Sequence, residues 1–260
     1  MATIHRKTIK LEGRDVSYYT AGHGEPVLVL HGGGGDARTW LQNIAALAEK
    51  YTVYAPDLPG YGGSQPLDGS YFIPELAEFV ESFARSLGLE KFHLMGNSLG
   101  GGVALNYALK SPHRVRKLVL VSSLCLGKEI ALWVRLLCIP TIFRAMVGMT
   151  MAVLRGVRWV VEQLNPAGYI MPLSPAAMTL GGSITTFKAQ TLVLDGRLPE
   201  VAVPTLLVWG ARDQIVPVHQ AYRAAKAIPD CQLKVFENRG HNVHRDEVKQ
   251  FSSIITRFLG

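Results

Sequence analysis

The stretch FHLMGNSLGGGVALNYALK, residues 92–110, decides the fold expected for this chain. Its apolar beginning, 92–95, is typical of a buried strand, and the small-residue run 101–110 is typical of a helix. Between them lies the Gly-x-Ser-x-Gly motif GNSLG, 96–100, whose glycines permit a tight strand-to-helix turn. Such a turn exposes the hydroxyl of Ser98 at the positive end of a helix, where developing negative charge is favoured. The pattern predicts a nucleophilic serine, and a glycine-rich turn that serves only packing is the alternative.

A serine hydroxyl is a weak nucleophile and needs a base, which in turn needs an orienting acid. The strand-like run 203–209 is followed by Asp213, and the strand-like run 231–237 is followed by His241. In a parallel sheet all carboxyl ends open on one edge, so Ser98, Asp213 and His241 are expected to converge there. Their order along the chain is the one this turn requires. We therefore predict His241 as the base and Asp213 as its orienting acid.

A run of four glycines, HGGGG at 31–35, directly follows the strand-like run 27–30. Its bare backbone can approach a substrate carbonyl, and we predict that the amides of Gly33 and Leu99 hold a developing oxyanion. Gly32, Gly34 and Asn97 are predicted to line the substrate site. A flexible loop is the alternative interpretation. A phosphate cradle is disfavoured because neither Gly-Lys-Ser/Thr nor a complete dinucleotide-binding motif follows.

Together these motifs resemble the α/β-hydrolase family, in its lid-bearing branch of serine esterases and carbon–carbon bond hydrolases. The resemblance covers nearly the whole chain and rests on HGGG (31–34), DLPGYGGS (57–64), GNSLGG (96–101), WGARD (209–213) and GH (240–241). It implies an α/β fold with a mostly parallel eight-stranded sheet, helices on both faces and a helical cap inserted after strand 6. It also implies the catalytic assignments reached above from the residues.

Differences at single positions narrow the chemistry that the resemblance implies. Haloalkane dehalogenases and epoxide hydrolases carry aspartate where this chain has Ser98. Prolyl iminopeptidases usually show Trp and Pro where Leu99 and Gly35 stand. Carbon–carbon bond hydrolases often share the GNSxGG and HGGG pieces, but they commonly have Trp directly after the catalytic histidine, where this chain has Asn242. The cap also offers no clear arginine for a substrate carboxylate.

We therefore expect a serine hydrolase that cleaves a carboxylic ester of a small to medium lipophilic substrate through an acyl-enzyme on Ser98. The first alternative is a carbon–carbon bond hydrolase of ring-fission products, which would take a ketone substrate. The second is a receptor-like protein of this fold that binds a ligand with little turnover, because fold alone does not fix function. No cofactor is expected for any of the three.

Length and composition predict one soluble core domain with a cap. The chain has 260 residues, of which 48% are hydrophobic and 18% charged, as is ordinary for a globular enzyme. The strand and helix alternation breaks near 122 and resumes near 203, so we predict a core at 1–122 and 203–260 and a helical cap at 123–202. The apolar segment 130–161 carries arginines at intervals, namely Arg135, Arg144, Arg155 and Arg158.

These arginines leave two interpretations of the cap open. Amphipathic helices could roof a lipophilic pocket, or their apolar face could contact membranes peripherally. A transmembrane span is disfavoured because the charges interrupt the apolar run.

Charge and cysteine usage argue against several other classes of partner. The net charge is +7, but lysine and arginine are scattered, so no nucleic-acid surface is predicted. Cys125, Cys138 and Cys231 are widely spaced, which indicates neither a disulfide framework nor a zinc site, and no metal site is predicted. The first residues lack the apolar stretch of a secretory signal, so a cytoplasmic location is expected. The oligomeric state is left open.

Three further residues that look chemical are predicted to be structural. His31 is expected to brace the glycine loop by hydrogen bonds, and His244 is expected to cap a helix. Asp57, in the turn sequence DLPGYG, is expected to anchor a turn rather than to replace Asp213 as the acid. An acid after strand 6 is excluded because that position offers only Ser122 and Ser123.

Overall fold

The structure is a computed structural model, and it describes residues 2–68, 71–137 and 189–260. Most of the predicted cap, 138–188, lies outside the described residues, and so do Arg144, Arg155, Arg158 and Cys138. The division into core and cap therefore stays a prediction.

Eight strands form one sheet, in the order β1-β2-β4-β3-β5-β6-β7-β8. β1 pairs antiparallel with β2, and β2 pairs antiparallel with β4, whereas the remaining neighbours are parallel. This confirms the predicted α/β fold with a mostly parallel eight-stranded sheet. The strands are β1 (His5–Leu11), β2 (Arg14–Ala21), β3 (Glu25–Leu30), β4 (Tyr51–Pro56), β5 (Phe92–Asn97), β6 (Val115–Val121), β7 (Thr205–Gly210) and β8 (Cys231–Phe236).

Helices connect the strands across the described part of the chain. They are α1 (Leu41–Leu47), α2 (Ile73–Ser86), α3 (Leu99–Lys110), α4 (Leu132–Leu137), α5 (His219–Ala227), α6 (Val243–Asp246) and α7 (Val248–Leu259). Short 3-10 turns lie at Ala37–Trp40, Pro112–Arg114 and Asp195–Glu200. None of the helices in the described ranges is long and apolar enough to cross a membrane.

The sheet separates two hydrophobic cores, because successive side chains of a strand point to opposite faces. On β3, Leu28 and Leu30 belong to the core that also contains residues of α2 and α3. Val27 and Val29 belong to the other core, which contains residues of α1 and α7. Burial on both faces explains why the central strands read as continuous apolar runs.

The strand register brings the carboxyl ends of the parallel strands to one level. Asn97 at the end of β5 is paired with Val121 at the end of β6, and Val121 is paired with Val208 near the end of β7. Gly210, the last residue of β7, is paired with Phe236, the last residue of β8. The loops that follow β5, β7 and β8 therefore begin at the same edge of the sheet.

Candidate active site

Ser98 lies in a strained turn between β5 and α3. Its backbone has φ 52° and ψ −112°, a left-handed conformation that costs a non-glycine residue about 1–3 kcal/mol. Neighbouring backbone holds it there: the Ser98 N–H donates to the carbonyl of Val121 at 2.9 Å, and the Leu124 N–H donates to the Ser98 carbonyl at 3.0 Å. The strain is thus fixed by β6 and the residues after it.

Glycines flank Ser98 because the backbone on either side has no room for a side chain. A Cβ on Gly96 would collide with the carbonyl of Gly100. A Cβ on Gly100 would lie 2.5 Å from the carbonyl oxygen of Leu30, at the end of β3. The close approach of α3 to β5 at Gly96 and to β3 at Gly100 therefore accounts for the Gly-x-Ser-x-Gly spacing.

Asp213 and His241 form a hydrogen-bonded pair. His241 Nδ1 lies 2.8 Å from Asp213 Oδ2, and the Asp213 side chain is fully buried. The other carboxylate oxygen, Oδ1, accepts the N–H of Ile215 at 2.8 Å and the N–H of Val216 at 3.0 Å. An ionised carboxylate can only accept, so it holds the proton of His241 on Nδ1 and leaves Nε2 free to accept another proton.

The loop that carries His241 crosses back over the end of β7. A Cβ on Gly210 would collide with the carbonyl of Gly240, and the Arg212 N–H donates to the Arg239 carbonyl at 2.9 Å. This crossing directs the loop away from β8, the edge strand, and towards the side of the sheet where β5 ends and Ser98 follows. The structure thus brings Asp213 and His241 into contact and places Ser98 at the same sheet edge.

The glycine run after β3 lies alongside the turn that carries Ser98. A Cβ on Gly32 would lie 2.7 Å from Asn97 Oδ1 and 3.3 Å from the Ser98 Cβ, so there is no room for it unless the Asn97 side chain moves. Leu99 is the first residue of α3, whose initial N–H groups have no partner within the helix. In the part of the chain that the structure describes, neither the Gly33 N–H nor the Leu99 N–H donates to another backbone group. An oxyanion contact by either N–H stays a prediction.

His31 braces this run, as predicted. The Leu58 N–H donates to His31 Nε2 at 2.9 Å, so the ring proton is on Nδ1, which donates to the Gly32 carbonyl at 2.8 Å. Burial lowers the pKa of His31, which keeps the ring neutral. The imidazole therefore links the glycine run to the turn after β4 through two hydrogen bonds.

Asp57 anchors a turn, again as predicted. Its Oδ1 accepts the N–H of Ala37 at 2.9 Å, and its Oδ2 accepts the N–H of Gly63 at 2.8 Å. These bonds tie the turn after β4 to the segment that follows the glycine run. Asp57 thus holds two backbone N–H groups and lies 3.9 Å from the guanidinium of Arg6, whereas Asp213 contacts the imidazole.

Asn97 and Gly34, two residues predicted to line the substrate site, differ in their surroundings. Asn97 is buried, and its side-chain amide donates to the Val121 carbonyl at 3.1 Å, so it braces β5 against β6. Gly34 is exposed, with open space where a Cβ would stand. A substrate contact by Gly32, Gly34 or Asn97 stays a prediction.

The capping role predicted for His244 is wrong. α6 has Asn242 at its N-cap position, and no side chain caps it. The His244 ring is buried against the indole of Trp40, with the ring centroids 4.2 Å apart. Burial lowers the pKa of His244 to about 3. The sequence could not reveal this contact, because Trp40 lies in a distant segment that only the folded chain brings next to α6.

Trp209 opens the WGARD motif, but its role in the site was not predicted from the sequence. Its indole N–H donates to the carbonyl of Val216 at 3.0 Å, which fixes the loop that follows Asp213. The described residues contain no group of three or more His, Cys, Asp or Glu side chains that could hold a metal ion.

Comparisons with known proteins agree with this fold. The sequence profile of a family described as alpha/beta hydrolase fold matches residues 25–136 and 158–248. The dihydrolipoyllysine-residue acetyltransferase component of the acetoin cleaving system of Cupriavidus necator is 32% identical over 262 residues, covering 96% of this chain and 68% of that protein.

Two further relatives carry the names of hydrolases. The 2-hydroxy-6-oxo-6-phenylhexa-2,4-dienoate hydrolase of Burkholderia cepacia is 30% identical over 267 residues, covering 92% of this chain and 89% of that protein. The solved structure of a thermophilic esterase from Thermogutta terrifontis is 25% identical, with a TM-score of 0.77 and 98% of each chain covered. This chain therefore belongs to the α/β-hydrolase family.

Proposed function

We propose that this protein is a serine esterase that hydrolyses carboxylic esters of small to medium lipophilic compounds. The observation that carries the proposal is the 2.8 Å hydrogen bond between Asp213 and His241, at the sheet edge where the strained turn presents Ser98. A buried acid, an imidazole with one free nitrogen and a half-buried serine hydroxyl are the parts that acyl transfer needs.

The reaction proceeds in two steps. Ser98 Oγ attacks the ester carbonyl carbon while His241 Nε2 takes the hydroxyl proton, and that proton then passes to the departing alkoxide. Water next attacks the acyl-enzyme with His241 again as base, which releases the carboxylic acid and restores Ser98. Throughout, Asp213 stabilises the imidazolium that forms and keeps its Nδ1 proton in place.

The oxyanion of each tetrahedral intermediate is assigned to the amides of Gly33 and Leu99. Support comes from three observations: Gly32, the neighbour of Gly33, lies against Ser98; Leu99 directly follows Ser98; and neither N–H group donates to another backbone group in the described residues. Each such donor is typically worth about 3 kcal/mol of transition-state stabilisation.

A series of p-nitrophenyl esters from acetate to long acyl chains tests the proposal. We expect turnover by the wild type and its loss in Ser98→Ala. Ser253→Ala, which removes an exposed hydroxyl from α7, is the matched control and should hydrolyse the esters like the wild type. Equal turnover in Ser98→Ala and wild type would contradict the proposal.

Carbon–carbon bond hydrolysis is a second candidate, favoured by the 30% identity to the dienoate hydrolase of Burkholderia cepacia. Asn242 follows His241 here, a position where that group commonly has Trp. If the protein cleaves a ring-fission dienoate but hydrolyses none of the esters, carbon–carbon bond hydrolysis replaces the esterase proposal. If it hydrolyses neither kind of substrate but its Tm rises when one of them is added, a binding protein is favoured.

A further inference from the structure

The loop after Asp213 is held at three successive carbonyls. The Gln214 carbonyl accepts the indole N–H of Trp133 at 3.2 Å, and the Ile215 carbonyl accepts the N–H of Ala131 at 2.9 Å. The Val216 carbonyl accepts the indole N–H of Trp209 at 3.0 Å. Two of the three donors therefore come from one short segment, 131–133, at the start of α4.

The same loop delivers two N–H groups to the carboxylate. Ile215 and Val216 both donate to Asp213 Oδ1, at 2.8 and 3.0 Å. A peptide unit is planar, so the carbonyl of Gln214 and the N–H of Ile215 belong to one rigid plate. The carbonyl of Ile215 and the N–H of Val216 belong to the next. Each of these two peptide units therefore accepts a hydrogen bond from segment 131–133 at its carbonyl and donates one to Asp213 from its N–H.

We propose that Trp133 is a positioning residue for the catalytic acid. By holding the Gln214 carbonyl, its indole N–H sets the rotation of the plate whose opposite end donates to Asp213 Oδ1. That donor fixes the carboxylate, whose other oxygen holds His241 at 2.8 Å. Hydrogen bonds in such a chain also polarise one another, so removal of the first weakens those that follow.

Trp133 and Trp209 do this in different surroundings. Trp209 is fully buried within β7, where packing alone would keep its ring in place. Trp133 is 49% exposed, so water competes for its N–H and its ring is held less tightly. The contribution of Trp133 is therefore separable from the stability of the core, which makes it the better residue to test.

The test uses the full-length protein, and it rests on the proposed esterase function for its kinetic arm. Trp133→Phe keeps an aromatic ring and removes the N–H, and Leu132→Ala changes an exposed neighbour on the same helix. We expect Trp133→Phe to lower kcat for p-nitrophenyl butyrate about fivefold at unchanged KM, the size typical of one hydrogen bond. Leu132→Ala should leave kcat and KM at the wild-type values.

A proton NMR measurement supplies an arm that needs no turnover. The proton shared between His241 Nδ1 and Asp213 gives a low-field signal, which His241→Gln identifies by its loss. We expect this signal to broaden or move upfield in Trp133→Phe and to stay in place in Leu132→Ala. A wild type that shows the signal but hydrolyses no ester would refute the esterase proposal while the Trp133 proposal is still tested by the signal.

Two results would overturn the role of Trp133. One is wild-type kcat together with an unchanged low-field signal in Trp133→Phe. The other is an equal loss of kcat and signal in Leu132→Ala, which would trace the effect to the helix as a whole rather than to the indole N–H.

Discussion

At the residue scale, the two oxygens of Asp213 have different partners. Oδ1 accepts two backbone N–H groups, and Oδ2 contacts His241. Asp213→Asn keeps the shape but can offer an NH2 group to the imidazole, which then carries its proton on Nε2 and cannot act as base. We expect kcat for ester hydrolysis to fall by about 10⁴-fold, as measured with p-nitrophenyl butyrate.

The matched control is Asp230→Asn, which alters an exposed carboxylate just before β8. It should hydrolyse the ester at the wild-type rate. A loss of tenfold or less in Asp213→Asn would show that this carboxylate does not orient the base.

A second residue-scale prediction concerns acid stability. Burial lowers the pKa of His244 from its ordinary value of 6.5 to about 3, so below pH 6.5 the unfolded chain takes up a proton that the folded chain refuses. The free energy of unfolding therefore falls as pH drops from 6.5 towards 3, by about 2 kcal/mol at pH 5 from this group alone. Urea unfolding at pH 7.5 and 5 measures this loss.

His244→Phe keeps an aromatic ring against Trp40 and removes the titrating group, so its loss of stability between the two pH values should be smaller by that amount. His23→Gln, at an exposed position, is the control and should follow the wild-type curve. An identical pH dependence in His244→Phe and wild type would refute the assignment of this acid sensitivity to His244.

At the scale of elements, the turn between β5 and α3 depends on close backbone contact. A Cβ on Gly100 would lie 2.5 Å from the Leu30 carbonyl oxygen, and backbone cannot move aside as a flexible side chain could. We expect Gly100→Ala to lower the free energy of unfolding by roughly 1–3 kcal/mol and to reduce esterase activity, because α3 must shift away from β3. Urea denaturation and p-nitrophenyl butyrate hydrolysis measure the two effects.

Gly196→Ala provides the comparison, since nothing lies within 4 Å of the Cβ it would add. That variant should change the stability by less than about 0.5 kcal/mol. If Gly100→Ala were as stable as Gly196→Ala, the close approach of α3 to β3 would be refuted.

The same elements show what the sequence could predict. The sequence predicts a strand at 203–209, and the structure has β7 at Thr205–Gly210. It predicts a strand at 92–95, and the structure continues that strand, β5, to Asn97. These strands are buried on both faces, so their apolar runs are clear. β1 was not singled out, because its sequence HRKTIKL is mostly polar and most of its residues are exposed.

The candidate site was predictable only where it depends on strand ends. Asp213 and His241 each follow a buried strand by a few residues, so the topology alone places them together. The bond from Trp133 to the Gln214 carbonyl spans 81 positions, and it depends on the path of two loops. Periodicity carries no information on such paths, and the contact of His244 with Trp40 was missed for the same reason.

At the scale of the whole molecule, the core that contains residues of α1 and α7, here called the second core, depends on α7. Phe251 of α7 is fully buried in that core, and its ring centroid lies 6.0 Å from that of Trp40. α7 therefore packs against the segment that follows the glycine run. Phe251→Ala should lower the free energy of unfolding by about 3–5 kcal/mol in a urea titration.

Phe72→Ala, at an exposed phenylalanine that precedes α2, should cost less than about 1 kcal/mol. Comparable losses in both variants would show that α7 does not carry the second core.

The central claim is that Ser98 is the nucleophile of this fold, and covalent labelling tests it without knowledge of the substrate. A fluorophosphonate transfers its phosphonyl group to an activated serine oxygen and releases fluoride. Mass spectrometry of the intact protein and of its peptides then counts and locates the adduct. We predict one phosphonyl group per chain, on Ser98, and none in Ser98→Ala. An unlabelled wild type, or an adduct on another residue that persists in Ser98→Ala, would contradict the account.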